Sequence, residues 1–319
     1  MTSTIHGILA GYDGSPDSEQ ALRWAAREAR WRGTVLTVYH AGAPGETGAE
    51  AGDGRESDRM QAVGDQDLAG ALRFAQELMG RGQARPLLAV GPAAHVLCEQ
   101  SADAVMVVVG QRGRGGLPGA LLGPVGQQVC AHARGRVVVV RGHWHPAAGY
   151  VPGPVVVGAD GSDGSRAAIA FAAEEAMLRE VPLLAVCALA DSPGTLGGAG
   201  RMQEAFDQDI ARWEKKYPEL TFLRQVSFGQ PRTTLLDATS SAQLLIVGSR
   251  GRGGLEGMLL GSVRSATRCC ITPGAQSASS TCNDSKARSG QAQHWLALGH
   301  SRRRRDVNGL TAEVDRRLP

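Results

Sequence analysis

The chain has 319 residues, which is long enough for two domains of ordinary size, and 42% of them are hydrophobic, as in globular proteins. It contains no run of 18 apolar residues and no charged leader region, so we expect neither a membrane-spanning helix nor a signal peptide. The net charge of +3 comes from the tail: residues 275–319 hold eight basic and four acidic side chains, and the rest is near neutral. The globular part is therefore not expected to bind nucleic acid or a membrane.

The first half alternates short apolar runs with helical patterns, which is typical of a parallel sheet built from βαβ units. In chain order we predict strands over 5–10, 35–39, 87–90, 105–109 and 137–140. Helices are predicted over 16–32, 58–79, 93–100 and 124–133. Pro16, preceded by Ser15, is a good start for the first helix.

The second half repeats this order. Strands are predicted over 155–157, 183–187, 222–226 and 244–247, and helices over 166–179, 201–216 and 233–239. We place the first domain at 1–145, a linker at 146–153, the second domain at 154–274 and a disordered tail at 275–319.

Cysteine and histidine usage gives no sign of a metal or disulfide framework. The six cysteines form no Cys-x-x-Cys pair, and the histidines show no metal-ligand spacing. A reducing cytoplasm is therefore the expected location.

A glycine-rich loop occurs twice, each time after an apolar run. VVVGQRGRGGLPGALLG covers residues 107–123 and LIVGSRGRGGLEGMLLG covers residues 245–261, so that Gly-x2-Gly-x9-Gly recurs 138 residues later. Glycines let a backbone approach phosphate closely, and a following helix start favours anions. The repeat predicts two phosphate-binding loops, or one working loop and one relic.

The glycine loop and the Asp-Gly-Ser turn after the first strand (AGYDGSPDSEQAL and GADGSDGSRAAI) together resemble a tandem universal stress protein. The resemblance covers roughly residues 4–141 and 154–268. It implies two open, parallel five-stranded sheets with helices on both faces, of the HUP (adenine nucleotide alpha hydrolase-like) type. It also implies ATP as the ligand, with Mg²⁺ left open, and pairing of the two domains or of two chains.

The same resemblance implies the ligand-binding residues. In the first half they are Asp13, Val38, Gly110, Arg112, Gly113, Gly123 and Val125. In the second half they are Asp160, Val186, Gly248, Arg250, Gly251, Gly261, Ser262 and Val263. The aspartates could instead only shape their turns, the arginines could be solvated, and the glycines could serve helix–strand packing alone.

The two loops differ in the residue that follows the last glycine. Family members that bind ATP usually carry Ser or Thr there. The second copy has Ser262, whereas the first has Pro124, which lacks both a hydroxyl and an N–H donor. We therefore predict that the first site is weaker or empty.

The end of the second domain departs from the family pattern. The residues after Val263, RSATRCCITPGAQSASSTC, supply no strand like that of the first half, so we expect an edge left exposed or filled irregularly. With suitably chosen codons for residues 269–281, a one-base shift gives LLHHARCPVGVVD, which resembles the expected ending. A frame change from about Arg264 is therefore a hypothesis that the gene sequence would settle.

Three classes of function remain open. The first is a nucleotide-binding stress or signalling protein that is not a fast enzyme, since no catalytic constellation or Walker lysine occurs; slow ATP hydrolysis or autophosphorylation stays open. The second is a nucleotidyl-transferring enzyme, but Gly11-Tyr12-Asp13-Gly14 stands where its His-rich motif would be. The third is a nucleotide-free protein-interaction module, which Pro124 and the altered ending favour.

Overall fold

The computed structural model describes residues 7–40, 54–87, 89, 91–114, 122–141, 152–189, 196–248 and 268–272. The backbone alone is described for 54–65, 196–199 and 268–272. Residues 146–151 of the predicted linker and the tail at 275–319 lie outside these residues, and so does most of the second glycine loop. No helix in the described part is long and apolar enough to cross a membrane.

The first half alternates strands and helices. In order they are β1 (Ile8–Tyr12), α1 (Pro16–Trp31), β2 (Leu36–His40), α2 (Gly54–Met79), β3 (Ala84–Leu87), α3 (Ala93–Gln100), β4 (Met106–Gly110), α4 (Pro124–His132) and β5 (Arg136–Val140).

The second half repeats the pattern without a counterpart of α4 among the described residues. Its elements are β6 (Val155–Gly158), α5 (Asp163–Leu178), β7 (Leu183–Leu189), α6 (Leu196–Lys216), β8 (Phe222–Phe228), α7 (Pro231–Ala238), β9 (Leu244–Val247) and β10 (Arg268–Thr272).

All ten strands belong to one sheet in the order β3-β2-β1-β4-β5-β10-β9-β6-β7-β8. β1 to β5 are mutually parallel, and so are β6 to β9. The predicted α/β class is confirmed, with two parallel strand sets of five and four strands that β10 joins into one sheet. In each half the strand order reverses beside the first strand, between β1 and β4 or between β6 and β9. That switch point is where open α/β sheets bind ligands.

The fifth position of the second sheet is filled differently from the family pattern. β10 runs parallel to β5 of the first half but antiparallel to its own neighbour β9. Within the described residues the second half therefore has four parallel strands, one fewer than the first. The expected fifth parallel strand is thus missing from the described part of the second half, as predicted, and Arg268–Thr272 fills that edge irregularly by pairing on both sides.

The third strand was predicted three residues too late. Its apolar run, 87–90, favoured that placement, but the strand is Ala84–Leu87 and contains Pro86. Proline lacks a donor and is tolerated only in edge strands, and β3 is the sheet's edge, paired with β2.

Buried side chains alternate between the two faces of the sheet. On one face, residues such as Ile8, Ala10 and Val38 join a core that continues into the second half and packs against α1, α2, α5 and α6. On the other face, Leu9, Tyr39 and residues of α3 and α4 form a separate cluster. This strict alternation decides which strand residues can reach a ligand on each face.

The two halves also meet through a buried set of four charges, the Glu–Arg quartet. It consists of Glu28 of α1, Glu175 of α5, and Arg32 and Arg179, the residues that follow these two helices. Arg32 Nε lies 2.6 Å from Glu28 Oε1, and Arg179 Nη2 lies 2.6 Å from Glu28 Oε2. Glu175 pairs with both arginines. The same Glu and Arg recur 147 residues apart. Each half therefore supplies one i,i+4 pair, and the arginine of each half also pairs with the glutamate of the other.

Candidate functional site

A cavity of about 320 Å³ opens at the carboxyl ends of β1 and β4 in the first half. This is the switch point of the strand order, and the volume lies at the lower end of the range for ligand pockets. Six of the predicted site residues line it: Asp13, Gly110, Arg112, Gly113, Gly123 and Val125. The structure thus brings together in one concave site residues that are more than 100 positions apart in the sequence.

Asp13 organises the turn between β1 and α1. Its Oδ1 accepts hydrogen bonds from the Ser15 N–H at 3.0 Å and the Ser15 hydroxyl at 2.6 Å. Its Oδ2 accepts one from the Arg114 N–H at 2.9 Å. Although burial acts to raise the pKa of Asp13, these hydrogen bonds hold it below its usual value. The carboxylate is therefore ionised at neutral pH, and these three bonds leave about one of its roughly four acceptor positions, on Oδ2, for a ligand.

The Asp-Gly-Ser sequence folds into this turn for local reasons. Gly14 has φ of 74°, a left-handed conformation that glycine adopts at little cost. Ser15 is the N-cap of α1, where its hydroxyl accepts the Ser18 N–H at 3.2 Å. The turn therefore positions Asp13 and also starts the helix, so a turn-shaping role and a ligand role of Asp13 are compatible.

The loop after β4 is tied to this turn by hydrogen bonds. The Arg112 N–H donates to Asp17 Oδ2 at 3.0 Å, and the Gly123 N–H donates to the Gln111 carbonyl at 2.8 Å. A Cβ on Gly113 would overlap the Asp13 carboxylate. Protein acceptors thus already occupy several amide donors that the sequence assigned to phosphate.

Among the described residues, donors without a protein acceptor remain at the start of α4. The Gln127 N–H makes an α-helical bond to the Gly123 carbonyl at 2.9 Å, and no side chain caps this helix start. The N–H groups of Val125 and Gly126 precede that bond and have no acceptor within the helix. Both residues line the cavity, so the donors and the positive end of the helix dipole lie at its wall. Pro124, at the first helical position, contributes no donor.

The arginines of the loop are only partly available to an anion. Arg114 forms an ion pair with Asp67 of α2, although just over half of its side chain is exposed. Arg112 lines the cavity and lies close enough to Arg141 to contribute, after burial, to lowering the pKa of Arg141. This end of the cavity therefore has a positive electrostatic potential, which Asp67 lowers by pairing with Arg114.

Gly110 has a packing role that the sequence alone left open. A Cβ at Gly110 would lie 2.6 Å from the backbone of Asp17, and one at Gly248 would lie 2.7 Å from the backbone of Gly164. Gly110, the last residue of β4, and Gly248, the residue just after β9, therefore each touch the first turn of the first helix of their half. At these two positions glycine is required by helix–strand packing, whatever the loop binds.

The second half preserves the same turn. Gly161 has φ of 73°, the Ser162 N–H donates to Asp160 Oδ1 at 3.0 Å, and the Ser162 hydroxyl accepts the Ser165 N–H at 3.1 Å. The other predicted residues of this site lie outside the described residues: Arg250, Gly251, Gly261, Ser262 and Val263.

One residue of the cavity was missed at the second strand. The sequence assignment named Val38, but Val38 packs into the core on the opposite face, and its neighbour Tyr39 lines the cavity. The strand register places Tyr39 opposite Gly11 and Val186 opposite Gly158, so Val186 is the true counterpart of Tyr39. The two-residue alternation of the strand could have given this placement. The prediction that backbone groups near Val38 and Val186 face a base stays a prediction.

No group of three or more metal-ligating side chains occurs among the described residues. Asp13 is the one carboxylate at the cavity wall in that part of the chain. A Mg²⁺ ion in this site would therefore need other ligands from the nucleotide and water, as is usual for that ion.

Comparison with known proteins agrees with this architecture. The model of the universal stress protein family matches residues 4–141 and 153–267. A universal stress protein of Mycolicibacterium smegmatis is 36% identical over 280 residues, covering 83% of this chain and 94% of that protein. One of Mycobacterium tuberculosis is 37% identical over 278 residues, covering 81% and 91%.

Among solved structures, a universal stress protein from Archaeoglobus fulgidus has a similar fold, with a TM-score of 0.61 at 17% identity. The alignment covers 85% of this chain and 97% of that one. Both halves are matched by the family model, and the relatives are matched over nearly their full length. The chain therefore belongs to the universal stress protein family, as a tandem member with two such domains.

Proposed function

We propose that this protein binds an adenine nucleotide, with ATP as the first candidate, and acts in a stress response or in signalling rather than as a fast enzyme. The observation that carries the proposal is the first-half cavity, in which an apolar floor meets the N–H groups at the start of α4, which have no acceptor within the helix. A nucleotide fits this arrangement, because its flat, largely apolar base can contact the apolar floor and its anionic phosphates can accept hydrogen bonds from the N–H groups.

Each part of the cavity suits one part of such a ligand. Leu97 and Val109 offer apolar contact for a base, and the Val125 and Gly126 amides offer donors for phosphate. Asp13 is ionised and accepts hydrogen bonds, which suits a ribose hydroxyl or a cation that accompanies ATP. Cys98, Cys130 and Cys187 are free thiols, which supports the proposed cytoplasmic location.

The experiment starts from the purified full-length protein. After denaturation, co-purified nucleotide is sought by absorbance and mass, and the protein is then titrated with ATP in a calorimeter, with and without Mg²⁺. Asp13→Ala and Asp160→Ala, at equivalent turns, report which half binds. If the folded wild-type protein did not bind ATP at millimolar concentration, the proposal would be refuted. The assignment to one half requires that both variants are folded.

Pro124 provides a gain-of-function test of the same site. Pro124→Ser restores an N–H and adds a hydroxyl at the start of α4, next to the predicted phosphate position. A charged hydrogen bond is worth about 1.5–3 kcal/mol, so we expect ATP to bind the first half roughly 10- to 100-fold more tightly. Pro231→Ser, at the start of α7, is the matched control and should leave affinity unchanged. An unchanged affinity in Pro124→Ser would show that phosphate does not contact this helix start.

A nucleotide-free interaction module is the second candidate, and a specific observation favours it. The amides of Arg112 and Arg114 already donate to Asp17 and Asp13, so part of the proposed anion site is satisfied by the protein itself. Under this alternative, neither co-purified nucleotide nor an ATP titration signal would be found.

A further inference from the structure

The ten-stranded sheet ends in β3 on one side and in β8 on the other. An edge strand has backbone groups that no neighbouring strand satisfies, and another chain can pair with them. The last strand of the first half, β5, is not such an edge, because it already pairs with β4 and with β10. Among the described strands, only β3 and β8 can therefore extend the sheet into another molecule.

The edge at β3 is closed by two residues. The Leu36 N–H donates to the Gln83 carbonyl, and Leu36 stands opposite Ala84, so Ala84 and Pro86 turn their backbone groups away from β2. The Gln76 side chain of α2 donates to the Ala84 carbonyl at 3.4 Å. Pro86 has no N–H to offer. This edge therefore has little left with which to bind a strand.

The edge at β8 is open. The Leu183 N–H donates to the Thr221 carbonyl, and the Gly229 N–H donates to the Leu189 carbonyl, both at 2.9 Å, so the odd-numbered residues of this region bond to β7. No other described element supplies a hydrogen bond to the backbone of the even-numbered residues, which point outward. These outward-facing residues are Phe222, Arg224, Val226 and Phe228.

The two edges differ at one equivalent position. Leu36 stands opposite Ala84 and Leu183 stands opposite Phe222, so Arg224 is the counterpart of Pro86. Arg224 keeps its outward N–H. Its guanidinium pairs with two carboxylates of α6 in the same chain, at 2.7 and 3.3 Å, so its charge is already balanced. The features that close the first edge are therefore missing from the second.

The sequence of β8, FLRQVSF, is complementary to itself. If two copies pair in antiparallel fashion about a two-fold axis at Gln225, Phe222 stands opposite Phe228 and Arg224 stands opposite Val226. All four outward residues of each strand then exchange two hydrogen bonds with a partner, about eight in total. Phe228, which is 68% exposed in the single chain, gains an aromatic neighbour.

Other two-fold registers fit less well. An axis at Arg224 would place two arginines opposite each other, which is unfavourable for like charges. An axis at Val226 would leave Phe222 without a strand residue opposite it. The register centred on Gln225 is therefore the one that uses the whole edge.

We propose that two copies of this chain associate through β8, in antiparallel register about Gln225, so that their two ten-stranded sheets become continuous. Because β3 is closed at the far end of each sheet, the association stops at a closed dimer instead of growing into a fibre. The inference does not depend on nucleotide binding.

The first test compares two substitutions of Arg224 in the full-length protein by sedimentation equilibrium at micromolar concentrations. Arg224→Pro removes the outward N–H but leaves the bonds to β7, as Pro86 does in β3. Two hydrogen bonds are lost per dimer, so we expect the dissociation constant of the dimer to rise about 10- to 100-fold. Arg224→Met is the matched control, because it loses the same ion pairs and keeps the N–H. It should leave the dissociation constant near the wild-type value.

The second test reports the register by disulfide cross-linking. In the proposed dimer the two copies of Gln225 form a non-hydrogen-bonded pair with Cα atoms about 4.5 Å apart, which is within disulfide range. Gln225→Cys should therefore yield a covalent dimer on mild oxidation, above the baseline of the wild type. Ser227→Cys is the matched control, because its two copies are offset by about four residues, or roughly 13 Å. It should not cross-link.

Several outcomes would overturn the inference. One is a wild type that stays monomeric at all concentrations. Another is a dimer that folded Arg224→Pro leaves intact, or that Arg224→Met weakens equally. The third is a lack of cross-linking in Gln225→Cys, or equal cross-linking in Ser227→Cys. If circular dichroism showed Arg224→Pro to be unfolded, the cysteine variants would decide, because they leave every backbone N–H of the edge in place.

Discussion

Arg179 of the Glu–Arg quartet offers the sharpest test of how the two halves are held together. Its side chain is 4% exposed and bridges Glu28 and Glu175, whose side chains are 1% and 0% exposed. Arg179→Met keeps a long apolar stem but removes the charge, leaving Arg32 alone with two buried carboxylates. Breaking a buried ion pair by removing one partner costs about 3–5 kcal/mol, so we expect a loss of that size in the free energy of unfolding at neutral pH.

The loss should depend on pH, with a sign that follows from Glu175. Burial raises the pKa of Glu175 to about 7, against the lowering effect of Arg179, and the variant loses that lowering. A carboxyl group whose folded pKa exceeds its unfolded value near 4.5 holds a proton in the native state between those two values. Stability therefore falls as pH rises through this window, and Arg179→Met should cost less at pH 5 than at pH 8.

Urea unfolding followed by tryptophan fluorescence measures the effect, since Trp24 and Trp31 lie 5.8 and 5.1 Å from the Arg179 guanidinium carbon. Arg224→Met is the control, because Arg224 pairs with Glu214 at 2.7 Å but both side chains are more than a third exposed. Its cost should stay below about 1 kcal/mol. Adding Glu175→Gln to Arg179→Met should recover part of the loss. Equal costs for the two arginine variants, or no difference between pH 5 and pH 8, would refute the reasoning.

Two further predictions concern the first-half turn and loop. Gly110→Ala places a Cβ 2.6 Å from the backbone of Asp17, so we expect the free energy of unfolding to fall by about 1–3 kcal/mol. Gly123→Ala, whose Cβ would have its nearest neighbour at 3.5 Å, should change stability far less. Urea midpoints compare the two variants, and similar values would contradict the packing role of Gly110. Asp13 has a folded pKa below 3.8, so its contribution to stability is present above that pH and is lost as pH falls through the folded value. Asp13→Asn should therefore be less stable than the wild type at pH 7 and should lose stability less steeply below pH 4, as followed by circular dichroism during acid titration; parallel acid transitions would show that the carboxylate is not hydrogen-bonded as described.

Much of the first-half site could be predicted from local sequence. The Asp-Gly-Ser turn depends on residues that are neighbours in the chain: Gly14 takes the left-handed conformation and Ser15 caps the helix. The apolar runs of β1 and β4 identify buried parallel strands, and their carboxyl ends must lie at one edge of the sheet. Six predicted residues therefore line the cavity, although the sequence contains no distance information.

The sequence predictions were incomplete where contacts with elements distant in the chain determine the structure. Pro86 is acceptable in β3 because that strand lies at the edge of the sheet. At residues 268–272 the expected irregular filling of the edge is confirmed, but only the packed sheet shows its form, a strand parallel to β5 and antiparallel to β9. Val38 was chosen in place of Tyr39 because the face of the sheet that bears the cavity depends on how the helices pack.

By itself, the sequence determined the α/β class, the duplication, and the turn and loop that meet at the end of β1 and β4, because these follow from short-range backbone preferences and the periodicity of burial. Only the tertiary structure decided which amides are already paired, that Tyr39 rather than Val38 lines the first-half cavity, and that Glu28, Arg32, Glu175 and Arg179 form one network. These depend on atoms that are distant in the chain and near in space, and such contacts arise only when the helices and strands have packed.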